Sequence, residues 1–129
     1  MARSYRELLV WQKARALALQ IYKATANFPR TETYGLTSQV RRAAVSVVSN
    51  IAEGRLTRGE FTYFLGLARG SLLEVETQLM IAFDLGFLEK EICESLDRQS
   101  YQVLGLIDRL LASLGQKGHV PDKRATLKL

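Results

Sequence analysis

Apolar residues recur at steps of three and four along most of the chain, in four long segments separated by short polar connections. The segments cover about residues 5–27, 36–54, 61–85 and 89–115. This spacing places the apolar side chains along one side of each predicted helix. Short connections favour antiparallel neighbours, so the pattern predicts an all-α, up-down-up-down antiparallel four-helix bundle over residues 1–115. Residues 116–129 are polar and basic without periodicity, which predicts a flexible tail.

The first and fourth predicted helices have one apolar stripe each, and their remaining surface is polar or charged. Such helices bury one side in a core and expose the other to solvent. The predicted core residues of the first helix are Trp11, Ala14, Ala18, Ile21, Thr25 and Phe28. Those of the fourth helix are Ile92, Leu96, Gln99, Val103, Leu106, Leu110 and Leu114.

The second and third predicted helices are apolar on two sides. Their inner stripes are Leu36, Val40, Ala43, Val47, Ile51 and Gly54, and Phe61, Leu65, Ala68, Leu72, Val75, Leu79 and Ala82. A second apolar side that remained exposed would mark an interaction surface, and another copy of the chain is its simplest occupant. The sequence therefore predicts a cyclic homo-oligomer. The predicted subunit interface is Val45, Val48, Tyr63, Gly66, Gly70, Leu73, Thr77 and Ile81.

Polar side chains interrupt these two apolar helices at regular places. Glu53 and Glu74 could be paired carboxylates with an acid–base role, but we favour hydrogen-bond or ion-pair partners, because buried polar groups commonly determine register and partner choice. The predicted structural polar network is Arg42, Ser46, Asn50, Glu53, Ser71 and Glu74.

The composition is that of a soluble globular protein, with 47% hydrophobic and 24% charged residues. The net charge of +5 is unevenly distributed, because residues 1–57 hold nine Lys and Arg against three acidic residues, whereas residues 58–115 hold five against nine. Basic surfaces attract phosphate groups. The alternatives are a merely solvated basic surface and, for Arg41 and Arg42, a place in the subunit interface. The predicted nucleic-acid-binding residues are Arg6, Lys13, Arg15, Arg41, Arg55 and Arg58.

Residues typical of a catalytic or metal site are scarce. Cys93 is the single cysteine and His119 the single histidine, so neither a disulfide framework nor a His/Cys metal cluster can form within the chain. The segment Gly66–Gly70 lacks the lysine and hydroxyl spacing of a phosphate-binding loop. No signal-peptide core or membrane-spanning run is present. We expect a cytoplasmic protein with no enzymatic activity, no cofactor, no metal and no membrane partner.

Several blocks closely resemble the family of the 23S rRNA intervening-sequence proteins. These are LLVWQKA in the first helix, FP after it, YGLTSQVRRAAVSVVSNIAEG in the second helix and LARGSLLEVETQL in the third, which together cover about residues 5–88. The resemblance implies an up-down bundle that assembles as a homopentamer. It also implies a relation to the accessory variability determinants of diversity-generating retroelements, basic pentamers that bind nucleic acid and a reverse transcriptase. It supplies no catalytic site.

The sequence thus leads to two main hypotheses of function. The first is a non-enzymatic homopentamer that associates with structured RNA, or nucleic acid generally, through basic surfaces. The alternative is a retroelement accessory or scaffold protein whose contacts with a reverse transcriptase dominate. A third possibility, an enzyme of unrecognised type, has no supporting residue pattern.

Overall fold

The computed structural model describes residues 4–56 and 60–115, and all regular structure in these ranges is helical. Four α-helices cover Leu9–Thr25 (α1), Leu36–Leu56 (α2), Phe61–Asp84 (α3) and Lys90–Ser113 (α4). Short 3-10 turns at Tyr5–Glu7 and Arg30–Glu32 precede α1 and α2. The predicted all-α, four-helix fold is confirmed. The predicted tail and Arg58 lie outside the described residues.

Each helix packs against two others, so the four helices enclose one core. α1 contacts α2 and α4, and α3 contacts the same two helices. Within the described residues, no close backbone approach joins α1 to α3 or α2 to α4. The contact between α2 and α3 is the most extensive. This arrangement is that of a four-helix bundle in which chain neighbours are also spatial neighbours.

The predicted inner stripes of α1, α2 and α3 form the core. Nearly all of their residues are buried, and Ile21, Ile51, Leu65 and Leu72 are 0% exposed. Burying a side chain of this size stabilises the fold by about 1.5–3 kcal/mol relative to leaving it in water. Trp11, Leu36 and Phe61 are only half-buried, at the ends of their stripes. The spacing of three and four was sufficient to find this core.

The predicted stripe of α4 is wrong in its rotation. The fully buried residues are Leu96, Ser100, Val103, Ile107 and Leu111. By contrast, the predicted core residues Ile92 and Leu114 are each 41% exposed, and Gln99, Leu106 and Leu110 are half-buried. Adjacent apolar pairs such as Leu106 and Ile107 allow two orientations about 100° apart, so periodicity alone does not decide between them.

The end of α3 shows why the chain turns where it does. Gly86 has a φ of +83°, a left-handed conformation that glycine adopts without the steric penalty of a Cβ. The Phe87 N–H donates to the Ala82 carbonyl, and the Gly86 N–H donates to the Phe83 carbonyl. This pair of hydrogen bonds is the Schellman motif, which ends helices at glycine. The predicted helix end near Leu85 is confirmed.

Gly54 allows the end of α2 to lie directly against the start of α3. A Cβ at this position would lie 2.6 Å from the Phe64 Cβ and 3.3 Å from the Phe61 Cα. Carbon atoms do not approach to 2.6 Å without bonding, so a side chain here would separate the two helices. The close approach of α2 to α3 at this corner therefore depends on the absence of a side chain at Gly54.

Candidate assembly and nucleic-acid surfaces

The outer side of α3 exposes apolar side chains along its whole length. We define the α3 outer face as Tyr63, Gly66, Gly70, Leu73, Thr77 and Ile81. Tyr63 is 62% exposed, Leu73 41% and Ile81 46%. A Cβ at Gly66 or Gly70 would meet no atom of the chain within 4 Å, so these glycines leave the helix backbone uncovered.

The two α2 residues of the predicted interface differ in exposure. Val45 is 43% exposed and Val48 is half-buried. Exposed apolar side chains that the sequence analysis did not assign, Leu67 and Met80, add to the surface of α3. Seven of the eight predicted interface residues are thus exposed, Val48 being half-buried, and their occupation by another subunit stays a prediction.

Three members of the predicted polar network meet between α2 and α3. The hydroxyls of Ser46 and Ser71 lie 2.9 Å apart. The Asn50 amide donates to the Ser46 carbonyl at 2.9 Å and to the Ser46 Oγ at 3.0 Å. The cluster is partly buried, so these hydrogen bonds satisfy polar groups that the helix contact removes from water.

The charged members of the predicted network do not join this cluster. Arg42, Glu53 and Glu74 are exposed, and none of them makes a hydrogen bond or salt bridge to another described residue. The side chains of Ser46, Asn50 and Ser71 are short enough to stay within the contact, whereas the longer charged ones extend into solvent. The network is therefore smaller than the sequence pattern indicates.

The predicted phosphate-binding residues at the start of the chain are accessible. Arg6 and Arg15 are exposed, and Lys13 is half-buried. The Arg15 guanidinium lies 5.6 Å from the centre of the Trp11 ring, within the range of a cation–π interaction. An aromatic ring does not neutralise the charge, so Arg15 remains able to contact an anion.

Arg41 is held between two helices. Its Nε donates to the Thr25 hydroxyl at 2.8 Å, and a terminal nitrogen donates to the Tyr22 carbonyl at 3.2 Å. The guanidinium also lies 4.5 Å from the centre of the Tyr22 ring. These contacts join α2 to the last turn of α1, where carbonyl groups lack partners within the helix. Arg55, the other described α2 residue of the predicted set, is half-buried.

A polar groove that the sequence analysis did not identify lies along α4, with one wall from α3. Its volume is about 710 Å³. We call it the α4 groove and define it by Arg69, Arg98, Tyr101, Gln102, Gly105 and Arg109, which line it. A signal was present in the sequence, because residues eleven apart, such as Arg98 and Arg109, lie on nearly the same side of a helix.

A salt bridge joins the two walls of the α4 groove. The Arg69 Nε donates to the Asp108 Oδ1 at 2.7 Å, and a terminal nitrogen donates to Oδ2 at 3.4 Å. The two residues are 39 positions apart, on α3 and α4 respectively. Both side chains are partly exposed, so this pair orients Arg69 more than it stabilises the fold.

A smaller cavity between α3 and α4 is lined by Glu76, Cys93, Glu94 and Asp97 among others. Burial raises the pKa of Glu76, and the negative charge of Asp97 raises it further, while Arg69 lowers it. Burial also raises the pKa of the Cys93 thiol, and the charges of Asp97, Glu94 and Asp84 act in the same direction. The thiol is therefore protonated at neutral pH, which is its weakly nucleophilic form.

Residues 4–56 and 60–115 contain neither a metal-ligand cluster nor a membrane-spanning helix. Nowhere in these ranges do three or more His, Cys, Asp or Glu side chains come together as a metal ion would require. Neither does any helix there combine the length and apolar character needed to cross a bilayer.

Comparison with known proteins places the chain in a family. A crystal structure of a protein of unknown function from the S23 ribosomal protein family, from Bacteroides thetaiotaomicron, superposes with a TM-score of 0.70 and 23% sequence identity. The similarity covers 80% of this chain and 98% of that one, and it supports the fold. No functionally curated protein matches the chain. The family model described as 23S rRNA-intervening sequence protein matches residues 6–109. The chain therefore belongs to the family of 23S rRNA-intervening sequence proteins.

Proposed function

We propose that this protein is a non-enzymatic homopentamer that associates with nucleic acid, structured RNA in particular, through basic surfaces repeated around the ring. The observation that carries the proposal is the α3 outer face, which leaves large apolar side chains exposed on a single subunit. Exposed basic residues at the start of the chain support the association with nucleic acid. The number of subunits, five, follows from the family resemblance.

Self-assembly is supported by the chemistry of the α3 outer face. Soluble monomers seldom leave a continuous apolar patch of several hundred Å² in water. Tyr63 and Ile81 are about five whole turns apart, Leu73 lies about 80° round the helix from both of them, and Gly66 and Gly70 leave room for another helix to approach closely. A repeated contact of this kind closes into a ring when the rotation between subunits permits it.

Association with nucleic acid is supported by the accessible cations at the start of the chain. Arg6 and Arg15 are exposed, and the half of the chain that contains them carries the excess of positive charge. Each phosphate that a Lys or Arg neutralises releases a counterion, which favours binding. A ring repeats the same cations on every subunit, so contacts that are weak singly become strong together.

The assembly is tested with Gly70→Leu and Thr77→Arg. Both positions are exposed in the single chain, so the bundle should fold with either change. We expect a smaller particle mass by light scattering and unchanged helicity by circular dichroism. Gln20→Arg, an exposed position on α1, introduces the same charge as Thr77→Arg and should leave the mass unchanged. If both α3 variants kept the wild-type mass, the proposed interface would be wrong.

The association with RNA is tested by titrating a labelled RNA hairpin at increasing salt concentration. The logarithm of the binding constant should fall linearly with the logarithm of the salt concentration. Replacing Arg6 and Arg15 with Gln should reduce the slope by about one unit for each lost phosphate contact. Lys90→Gln, which removes the same charge from α4, is the matched control. Affinity that did not respond to salt would contradict the proposal.

A further inference from the structure

The outer side of α4 carries two arginines that form no salt bridge with a described residue. Arg98 and Arg109 are both exposed, and neither makes a salt bridge to a described residue. Arg69, the third arginine of the α4 groove, is already paired with Asp108 and forms part of the wall. The groove therefore presents two free positive charges within a segment that is acidic as a whole.

The distance between these arginines suits an extended polyanion. They are eleven residues apart on one helix, so their backbones lie about 16 Å apart along its axis. That length corresponds to about five nucleotides at the 3.4 Å rise of a stacked strand. A nucleic-acid backbone offers several phosphates over this length, whereas a small anion offers one charged group.

An exposed aromatic ring lies between the two charges. Tyr101 is 74% exposed and lines the same groove as Arg98 and Arg109. Aromatic side chains at basic grooves provide stacking surfaces for unpaired bases. Gln102, beside it, carries both a donor and an acceptor that can pair with a base edge.

Gly105 lies in the floor of the groove, next to the Arg109 side chain. It lies in the middle of α4, where glycine costs about 0.5–1 kcal/mol relative to alanine, so its presence is unfavourable for the helix itself. The nearest atom to a Cβ built at this position is the Arg109 Nη1, at 3.6 Å. The Arg109 side chain therefore lies back along the groove towards Tyr101 and does not extend away from it.

We propose that the α4 groove binds a single-stranded stretch of nucleic acid, with phosphates on Arg98 and Arg109 and one base stacked on Tyr101. The proposal rests on the association with nucleic acid proposed above and adds a second surface to it. A single strand is favoured over a duplex because a tyrosine ring can stack only on a base that is free of its own neighbours.

The test compares three variants for binding of a short fluorescent oligouridylate. Tyr101→Ala should weaken binding by roughly 5- to 150-fold, whereas Tyr101→Phe, which keeps the ring, should bind within about twofold of wild type. Arg98→Gln combined with Arg109→Gln should lower the salt slope by about 1.4 units, or 0.7 for each phosphate on a single strand. Lys90→Gln lies on α4 outside the groove lining and is the control. All these positions are exposed, and circular dichroism confirms that each variant folds.

Ultraviolet cross-linking of the bound oligouridylate gives an independent readout. The peptide that contains Tyr101 should carry the cross-linked nucleotide in wild type and lose it in Tyr101→Ala. Uridine monophosphate serves as a competitor, because it offers the same base and phosphate without a strand. If uridine monophosphate displaced the oligouridylate at similarly low concentrations, the proposal that the groove binds a strand would be wrong.

The outcomes separate this inference from the proposed function. If the hairpin RNA responds to the Arg6 and Arg15 changes while the Tyr101 and Arg98/Arg109 variants bind oligouridylate like wild type, the groove proposal is wrong and the proposed function stands. If oligouridylate binding is lost in the α4 variants while hairpin binding is unchanged by the Arg6 and Arg15 changes, the groove proposal stands and the assignment to Arg6 and Arg15 is wrong. If neither RNA binds at low salt, both proposals fail.

Discussion

The outer sides of α3 and α4 differ sharply, although the two helices are equally long and share one core. Each has 24 residues and buries one stripe of them. Outside, α3 exposes Tyr63, Leu73 and Ile81, whereas α4 exposes Arg98, Tyr101 and Arg109. The core determines only which side of a helix turns inward. The outward side is not constrained by the core, so α3 exposes large apolar side chains there and α4 exposes arginines.

The difference also predicts how the two surfaces respond to solvent. Contacts between apolar surfaces depend weakly on salt, whereas contacts between arginine and phosphate weaken steeply as salt increases. Raising the salt concentration should therefore release a bound strand before it dissociates subunits. Substitutions on the inner and outer sides of these helices test this difference directly.

The largest effect is expected where the inner and outer sides of α3 adjoin. Leu72 is 0% exposed and its neighbour Leu73 is 41% exposed. Leu72→Ala should lower the free energy of unfolding by about 2–5 kcal/mol, because it removes buried atoms and leaves a cavity. Leu73→Ala should change it by less than about 1 kcal/mol. Urea denaturation in the Thr77→Arg background, which removes the proposed subunit contact, measures both. Equal losses would contradict the division of α3 into two sides.

An intermediate effect, of opposite sign at two sites, is expected for alanine in place of glycine. Gly54→Ala should destabilise the bundle by about 1–3 kcal/mol, because the new Cβ would overlap Phe64 in the α2–α3 contact. Gly105→Ala on the outer side of α4 meets only Arg109 at an ordinary distance, so it should stabilise the helix by about 0.5–1 kcal/mol. Thermal unfolding distinguishes them. A stabilising Gly54→Ala would show that this corner is less closely packed than described.

The smallest effect is expected at Glu76, between α3 and α4. Because burial and Asp97 raise its pKa, the folded state favours the protonated form. Its contribution to stability is therefore present at low pH and is lost as pH rises through the raised pKa. Glu76→Gln should unfold at a higher temperature than wild type at neutral pH, and the difference should shrink on acidification. Glu74→Gln, on the exposed side of α3, is the control. The same trend in both variants would contradict this prediction.

Much of the fold could be predicted because three of the four helices have unambiguous stripes. In α2 and α3 the inner stripe is apolar along its length, as in Leu72, Val75 and Leu79, whereas the second side of α3 is interrupted by Gly66, Gly70 and Thr77. α4 lacks this contrast, because Leu106 and Ile107 are equally apolar neighbours and Ser100 is polar yet 0% exposed. Packing against α1 and α3 decides its rotation, and periodicity within one helix contains no information about that packing.

The candidate surfaces were predictable to different degrees. The α3 outer face follows from spacing along one helix, so its residues could be identified in advance. The role of Arg41 could not, because its partners Thr25 and Tyr22 lie on another helix. The same is true of Arg69, whose pairing with Asp108 depends on how α3 and α4 pack. Contacts between distant parts of the chain are properties of the assembled bundle.

The salt bridge between Arg69 and Asp108 links the two helices whose outer sides differ most. Because Arg69 belongs to α3 and also lines the α4 groove, any sliding of α3 along its axis would carry one wall of the groove with it. A subunit that adjusts α3 to fit its neighbour would thereby change the width available to a strand on its own surface. The proposed ring and the proposed strand binding would then be coupled within each subunit, although the two surfaces share no residue.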